Sequence, residues 1–165
     1  MSMPFLDTDS CYFSGYPTLK SEIDAGNLPW DKDNVITLYD QVCEAANATF
    51  PDFMMQAFHC PRSRSDVIAA AREIVAESGL YITKKRYAAL VYDVEGFRSY
   101  TDGKPGKVKA MGLDLRRSDT PVFMQDFLKE LLEMVLTDVP QSKVLERITE
   151  FRKEFSDRPG WEKGT

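Results

Sequence analysis

Near residue 105 the hydrophobic pattern of the chain changes from strand-like to helical, and this change limits the folds that the chain can adopt. In the first part, residues 72–94 contain two strand-like segments joined by a turn. In the second part, Pro121 stands at the first position of a predicted helix with one apolar face, and a second helix follows. This order predicts an α+β fold in which antiparallel hairpins precede a helical segment.

A long helix is predicted ahead of the hairpin. Asp31 or Asp33 would cap its N-terminus, and Pro51 is expected to kink or restart it. Its apolar residues recur at helical spacing: Val35, Leu38, Tyr39, Val42 and Ala46. The preceding stretch, 14–30, holds two glycines and two prolines and is therefore predicted to be irregular.

The predicted hairpin turns at Ser78-Gly79, and its second arm continues through Lys84-Lys85-Arg86 into an apolar run. Side chains alternate between the two faces of a strand, so this arm would place cations on both faces. Three consecutive cations in a strand oppose packing unless one face meets an anion. The arm is therefore a candidate anion-binding surface.

The first residues of the chain place two aspartates, Asp7 and Asp9, between the short apolar runs 3–6 and 11–13. A polar Asp/Thr/Ser cluster between apolar runs predicts two strand ends joined by a tight turn. Carboxylate oxygens are the ligands that a hard cation such as Mg²⁺ requires. The turn is therefore a candidate metal site, with an ordinary solvated turn as the simpler alternative.

The net charge of −5 argues mildly against a nucleic-acid-binding protein, but the charge is unevenly distributed. Residues 84–117 contain nine basic and four acidic residues, a net charge of +5 that leaves −10 for the rest of the chain. A basic stripe within an acidic protein is expected where one face meets phosphates. A solvated loop would account for the same composition.

Four sequence elements follow one another in a distinctive order: Asp-Thr-Asp-Ser at 7–10, Lys-Lys-Arg-Tyr-Ala at 84–88, Tyr-Asp-Val-Glu-Gly at 92–96, and the block 109–121. This series resembles the C-terminal part of family B DNA polymerases, most closely those of tailed phages. The resemblance covers nearly the whole chain, from Asp7 into the last predicted helix.

The resemblance implies a role for each matching residue. Asp9 would be the main ligand of two catalytic Mg²⁺ ions, with Asp7 as an accessory acid at the same site. The implied DNA contacts are Lys84, Lys85, Arg86, Tyr87, Lys109, Arg116 and Arg117. The implied fold is an antiparallel palm-type sheet with a long helix over 1–105, followed by the passage into the thumb and the first thumb helices over 106–165.

The implied function is that of a fragment of a replicative DNA-directed DNA polymerase, which adds deoxynucleotides to a primer 3′ end with Mg²⁺. Its partners would be primer-template DNA, deoxynucleoside triphosphate and an N-terminal polymerase chain that supplies the other palm aspartate and the fingers helix. A two-metal site needs carboxylates that hold both ions. Because one acidic turn cannot position two metals, the isolated chain is predicted to be inactive.

Two other functions fit parts of the pattern. A non-enzymatic DNA-binding or polymerase-assembly module would use the basic stripe alone. A different Mg²⁺-dependent phosphotransfer domain would share only the Asp-Thr-Asp turn, and it leaves the lysine run and the block 112–121 unexplained.

Cysteine usage and hydropathy predict a cytoplasmic location, in the host if the protein is viral. The three cysteines are odd in number and widely spaced, which fits a reducing compartment: Cys11, Cys43 and Cys60. No apolar run is long enough for a bilayer, so no membrane partner is expected.

A partial palm would expose sheet edges and apolar helix faces, which predicts self-association, for example by strand or helix exchange.

Overall fold

The computed structural model of the protein describes residues 5–7, 9–100, 106–113, 115 and 119–163, apart from the side chains of Phe5 and Asp7. It has an α+β fold with an antiparallel sheet and several helices, as the sequence pattern predicts. The strands are β1 (Phe5–Asp7), β2 (Ser10–Tyr12), β3 (Ile74–Thr83), β4 (Arg86–Val94), β5 (Phe97–Arg98) and β6 (Lys107–Met111). The helices are α1 (Tyr16–Asp24), α2 (Lys32–Phe58), α3 (Val122–Leu136), α4 (Gln141–Asp157) and α5 (Gly160–Lys163), with a 3₁₀ turn at Arg62–Arg64.

Backbone packing groups the chain into two compact units. The first, here called the helical unit, contains Ser14–Val75 and Asp93–Arg98. The second, here called the hairpin unit, contains Met3–Phe13, Ala76–Tyr92 and Ser99–Thr165. These units are not the predicted palm and thumb segments, whose boundary after residue 105 stays a prediction.

Strand β4 lies at the centre of the four-stranded sheet, where it pairs with β3, β5 and β6. The register with β6 sets Ala88 opposite Ala110 and Leu90 opposite Val108. Paired residues of an antiparallel ladder share a face. In the hairpin unit this face packs against α3, where Leu136 is 5% exposed. Each buried leucine of this kind stabilises the fold by roughly 1.5–3 kcal/mol.

The predicted turn at Ser78-Gly79 is wrong, because β3 runs through both residues without interruption. Glycine at position 79 makes room for an aromatic ring, since a Cβ there would lie 2.7 Å from the ring of Tyr81. The Ser78 hydroxyl donates a hydrogen bond of 2.5 Å to the carbonyl of Leu136. These two residues therefore serve packing within the hairpin unit, where the sequence pattern had indicated a reversal of the chain.

The chain reverses instead at Lys84-Lys85, between β3 and β4. Lys85 adopts the left-handed backbone conformation, with φ of 62°. Such a conformation is uncommon for a non-glycine residue and occurs mostly in tight turns. The predicted strand of three consecutive cations is therefore wrong: two lysines form the turn, and Arg86 is the first residue of β4.

Three helix predictions also change in detail. The prediction that 14–30 is irregular is wrong for residues 16–24, which form α1. Pro17 is tolerated there because it occupies the first turn, where the missing N–H is not needed. The side chain of Asp31 caps α2 by accepting a 3.0 Å hydrogen bond from the Asn34 amide, and α2 continues through Pro51 without a break. Pro121 precedes α3 as its N-cap, so the helix begins at Val122, one residue later than predicted.

Helices α3 and α4 form a hairpin around two stacked rings. The ring centroids of Phe127 and Phe151 lie 3.6 Å apart, with planes 2° from parallel. Arg147 of α4 reaches back to α3, where it donates to both carboxylate oxygens of Glu130 at 2.8 and 3.1 Å. Among the described residues, no helix combines the length and the apolar character that crossing a membrane would require.

Candidate metal and nucleic-acid site

The predicted acidic turn is present, formed by the antiparallel pair β1 and β2. Leu6 pairs with Cys11, and Asp7 pairs with Ser10. Asp9 lies in the turn between the strands and is exposed. The backbone of Asp7 closes the ladder, whereas its side chain and Thr8 lie outside the described residues. An exposed carboxylate at a turn is chemically suited to a hard cation.

The basic turn consists of Lys84, Lys85 and Arg86, and all three side chains are exposed. Among the described residues, no carboxylate forms an ion pair with any of the three. Their position at the tip of the β3–β4 hairpin holds three positive charges within a short span of chain. A group of exposed cations is chemically suited to phosphate contacts that do not depend on base sequence.

Three tyrosine rings link the acidic turn to the basic turn within the hairpin unit. The ring of Tyr12, from β2, lies 5.6 Å from that of Tyr81 and 5.3 Å from that of Tyr87. The rings of Tyr81 and Tyr87 stack at 5.7 Å. The hydroxyls of Tyr12 and Tyr87 are 3.2 Å apart and share a hydrogen bond. We call these three residues the tyrosine cluster.

The tyrosine cluster brings the two turns into one neighbourhood. Asp9 lies three residues before Tyr12, and Lys84 lies three residues after Tyr81. At about 3.3 Å per residue, each turn is roughly 10 Å from the cluster. Tyr87 is 1% exposed, so its ring packs inside the hairpin unit, and its predicted contact with DNA stays a prediction.

Strand β6 approaches the basic turn from the other side of β4. Lys109 is half-buried and pairs with Ala89. Gly112, just after β6, has φ of +65°, and a Cβ there would overlap the carbonyl group of Lys85. The end of β6 therefore packs directly on the backbone of the basic turn. The remaining predicted DNA contacts, Arg116 and Arg117, lie outside the described residues.

Metal coordination by this site is limited in the part of the chain that the structure describes. No three His, Cys, Asp or Glu side chains of that part lie together as a metal-binding group. Asp9 could therefore contribute one oxygen ligand, and a two-metal site needs further carboxylates. The described residues therefore supply at most part of the ligand set of a two-metal site.

The sequence pattern missed one buried charge cluster, which lies in the helical unit. Asp93 is fully buried and ion-paired with Arg72, and its other oxygen accepts a 2.9 Å hydrogen bond from Arg98. The Gly96 amide donates a third hydrogen bond to Asp93, at 3.1 Å. Arg72 also donates to Asp40 at 2.5 Å. We call these residues the Asp93 cluster.

Electrostatics within the Asp93 cluster favour the charged forms. Burial by itself would raise the pKa of Asp93, but the hydrogen bonds from Arg72, Gly96 and Arg98 outweigh it and lower that pKa. Burial likewise opposes the charge of Arg72, and the carboxylates of Asp40 and Asp93 overcome it and raise its pKa. A single aspartate inside the apolar run of β4 was the available sequence signal, since a buried charge requires a partner.

The fold and the two turns together define an α+β protein with an exposed acidic turn and an exposed basic turn in one unit. No family model matches the chain. Over 60 residues it is 42% identical to a DNA-directed DNA polymerase of Escherichia phage RB69. The match covers 36% of this chain and spans only 6% of the length of that polymerase. This partial similarity supports a possible relationship to phage DNA polymerases.

Proposed function

We propose that the chain is part of a family B DNA-directed DNA polymerase of the tailed-phage type. The observation that carries the proposal is the joining of the Asp9 turn to the Lys84–Arg86 turn by the tyrosine cluster. Nucleotide addition needs a metal-binding carboxylate close to a surface that holds the DNA backbone. The partial identity with a phage polymerase supports the same function from an independent comparison.

In this proposal, the Asp9 turn binds the metal and the basic turn binds the DNA backbone. Asp9 is the main magnesium ligand, with Asp7 as an accessory acid, and bound magnesium would supply Lewis-acid stabilisation of charge on phosphate oxygens. The exposed cations of the basic turn hold the primer-template backbone. Lys109, Arg116, Arg117 and Tyr87 are proposed to extend this DNA surface. Helices α3 and α4 form the beginning of the thumb, and the residues before 106 belong to the palm.

The isolated chain is proposed to be inactive, because a second palm carboxylate and a deoxynucleotide-binding fingers helix would come from an N-terminal polymerase chain. A primer-extension assay with Mg²⁺ and the purified chain tests this. We expect no incorporation above that of the Asp9→Asn variant. Incorporation above that control would contradict the inactivity of the isolated chain.

The polymerase function itself is tested by adding a polypeptide that carries the missing palm aspartate and the fingers helix. We expect primer extension to appear with the wild-type chain and to be lost with Asp9→Asn. A matched control is Asp52→Asn, an exposed carboxylate of the helical unit. Equal extension by the wild-type chain and by the Asp9→Asn variant would contradict the role of Asp9.

A non-enzymatic DNA-binding or polymerase-assembly module is the second candidate. The exposure of all three basic-turn cations favours it, because phosphate binding needs no metal. Duplex binding measured with and without Mg²⁺ separates the two functions. Tight binding that Mg²⁺ and Asp9→Asn leave unchanged would favour the module over the polymerase part.

We also propose that the protein self-associates, whichever of the two functions it has. On α2 of the helical unit, Phe53 is 55% exposed and Phe58 is 64% exposed, and their rings contact each other edge to face. Exposed aromatic pairs of this kind favour burial against another surface. Light scattering should therefore show species larger than a monomer at high concentration. A monomer throughout the concentration range would contradict the proposal.

A further inference from the structure

The tyrosine cluster does more than fill space between the two turns. A two-stranded hairpin such as β1–β2 is at best marginally stable by itself, so its position depends on what it packs against. Tyr12 supplies that packing through two ring contacts and a hydroxyl hydrogen bond, three residues from Asp9. The placement of the Asp9 turn is therefore tied to the positions of Tyr81 and Tyr87.

The other two rings are in turn tied to the basic turn. Tyr87 directly follows Arg86, is 1% exposed and pairs with Met111 of β6. Tyr81 lies over Gly79, where a Cβ would come within 2.7 Å of the ring, and stacks on Tyr87. Because Tyr87 is buried, its ring is held in place by its surroundings, and the rings of Tyr12 and Tyr81 both contact it.

We propose that the Tyr12–Tyr87 hydroxyl pair couples the two turns, so that DNA phosphate bound at the basic turn immobilises the Asp9 turn. Tyr12 is then a positioning residue, which acts on Asp9 through the β1–β2 hairpin. The inference rests on the proposed function in one respect, the binding of DNA by Lys84, Lys85 and Arg86. Binding that rigidifies one part of a protein favours order in a packed neighbour, and such coupling is reciprocal.

The coupling is measurable as hydrogen exchange of the β1–β2 backbone amides in the full chain, with and without a primer-template duplex at low salt. In the wild-type chain, we expect the duplex to slow this exchange by about fivefold or more. The Tyr12→Phe variant keeps the ring but loses the hydroxyl hydrogen bond to Tyr87. We expect it to bind the duplex as the wild type does and to lose most of the slowing.

Two controls keep the result specific. Tyr16→Phe, in the helical unit, removes a hydroxyl from a ring that contacts Trp30, and it should retain the full slowing. Exchange in α3 and α4 reports whether Tyr12→Phe remains folded. Tyr12→Leu, which removes the ring as well, should raise the exchange of the hairpin even without DNA.

The possible outcomes separate the coupling from the proposed function. Slowing that persists in Tyr12→Phe would mean that DNA shields the hairpin directly, and this would overturn the coupling alone. Duplex binding with no change in hairpin exchange would do the same. If the wild-type chain binds no duplex at low salt, both the coupling and the proposed function are overturned.

Discussion

The Asp93 cluster of the helical unit and the basic turn of the hairpin unit use positive charge in opposite ways. In the helical unit, Arg72 and Arg98 are paired with carboxylates around the buried Asp93. In the hairpin unit, the lysines of the basic turn are exposed at the tip of β3–β4. In the Asp93 cluster, the cations form ion pairs that hold loops and strands together. In the basic turn, the cations are available to a ligand.

This difference divides the basic segment 84–117 by role. Arg98 belongs to that segment, but it pairs with Asp93 and, at 3.0 Å, with Asp33. It therefore contributes to the structure of the helical unit. Lys84, Lys85 and Arg86 remain as the described cations of the segment that are best placed for phosphate. The number of basic residues in a segment thus overstates the number of cations that are available to a ligand.

Removing the buried carboxylate should have the largest effect on stability. The Asp93→Asn variant leaves Arg72, whose side chain is 10% exposed, without one of its two carboxylate partners. Breaking a buried ion pair by removing one partner typically costs about 3–5 kcal/mol. We expect a loss near 3 kcal/mol in the free energy of unfolding measured with urea, because Asp40 still pairs with Arg72.

The exposed pair of Arg62 and Asp52 provides the matched control. Both side chains are 67% exposed, so Asp52→Asn should cost less than about 1 kcal/mol. Equal losses in the two aspartate variants would show that the Asp93 cluster is no more structural than a surface ion pair. The proposed difference between the paired cations of the Asp93 cluster and the available cations of the basic turn would then be contradicted.

The pH dependence of stability should report the same cluster. The pKa of Asp93 is lowered in the folded state. As the pH falls below about 4, the unfolded state therefore binds more protons than the folded state does. The stabilising contribution of Asp93 is complete above that pH and is lost as the pH falls through the folded-state pKa. Urea unfolding between neutral pH and about pH 3 should show the gap between wild type and Asp93→Asn closing on acidification. A constant gap would contradict this assignment.

An intermediate effect is expected at Gly112, which joins β6 to the basic turn. Gly112→Ala puts a Cβ against the carbonyl of Lys85 and imposes a φ of +65° on a non-glycine residue. Gly26→Ala is the control: Gly26 has φ of +75°, but among the described residues, its chain neighbours aside, no atom lies within 4 Å of the added Cβ. Gly26→Ala should cost roughly 1 kcal/mol, and Gly112→Ala at least about 1 kcal/mol more, by urea unfolding.

Equal losses in the two alanine variants would mean that the basic turn moves freely away from β6. In that case the contact with the end of β6 would not fix the position of the basic turn. A larger loss at Gly112 would instead support a basic turn whose backbone is held in place for its ligand.

The elements that the sequence predicted correctly depend on neighbouring residues. The tight turn around Asp9 follows from turn-forming residues between two apolar runs, and the α2 cap follows from Asp31 and the three residues after it. The α+β class follows from the change of hydrophobic period along the chain. In these cases the physical cause lies within a few residues, so a single sequence reveals it.

The elements that the sequence failed to predict depend on distant residues. Gly79 indicated a turn, but its role is to admit the ring of Tyr81, and Ser78 is held by α3 at Leu136. Lys85 forms a turn in the left-handed conformation with no glycine to signal it. In the Asp93 cluster, Arg72 lies 21 positions before Asp93, and Asp40 lies 53 positions before it. Patterns of local periodicity carry no information about such partners.

The smallest effect on stability, and the most direct test of the contrast between the units, is expected from the Lys84→Ala/Lys85→Ala variant. Both side chains are exposed, so the free energy of unfolding should change by less than about 0.5 kcal/mol. Duplex binding should nevertheless weaken, with the slope of log affinity against log salt shallower by about two. Fluorescence anisotropy of a labelled duplex across a salt series measures this slope.

A variant that removes the same two charges elsewhere separates local binding from net charge. Lys20→Ala/Arg62→Ala changes two exposed cations of the helical unit, each already paired with an aspartate. Its salt slope should match that of the wild type, because these cations are engaged within the protein and lie outside the basic turn. Equal slopes for both double variants would mean that DNA senses only overall charge. A large loss of stability in Lys84→Ala/Lys85→Ala would instead show that the basic turn, like the Asp93 cluster, is structural.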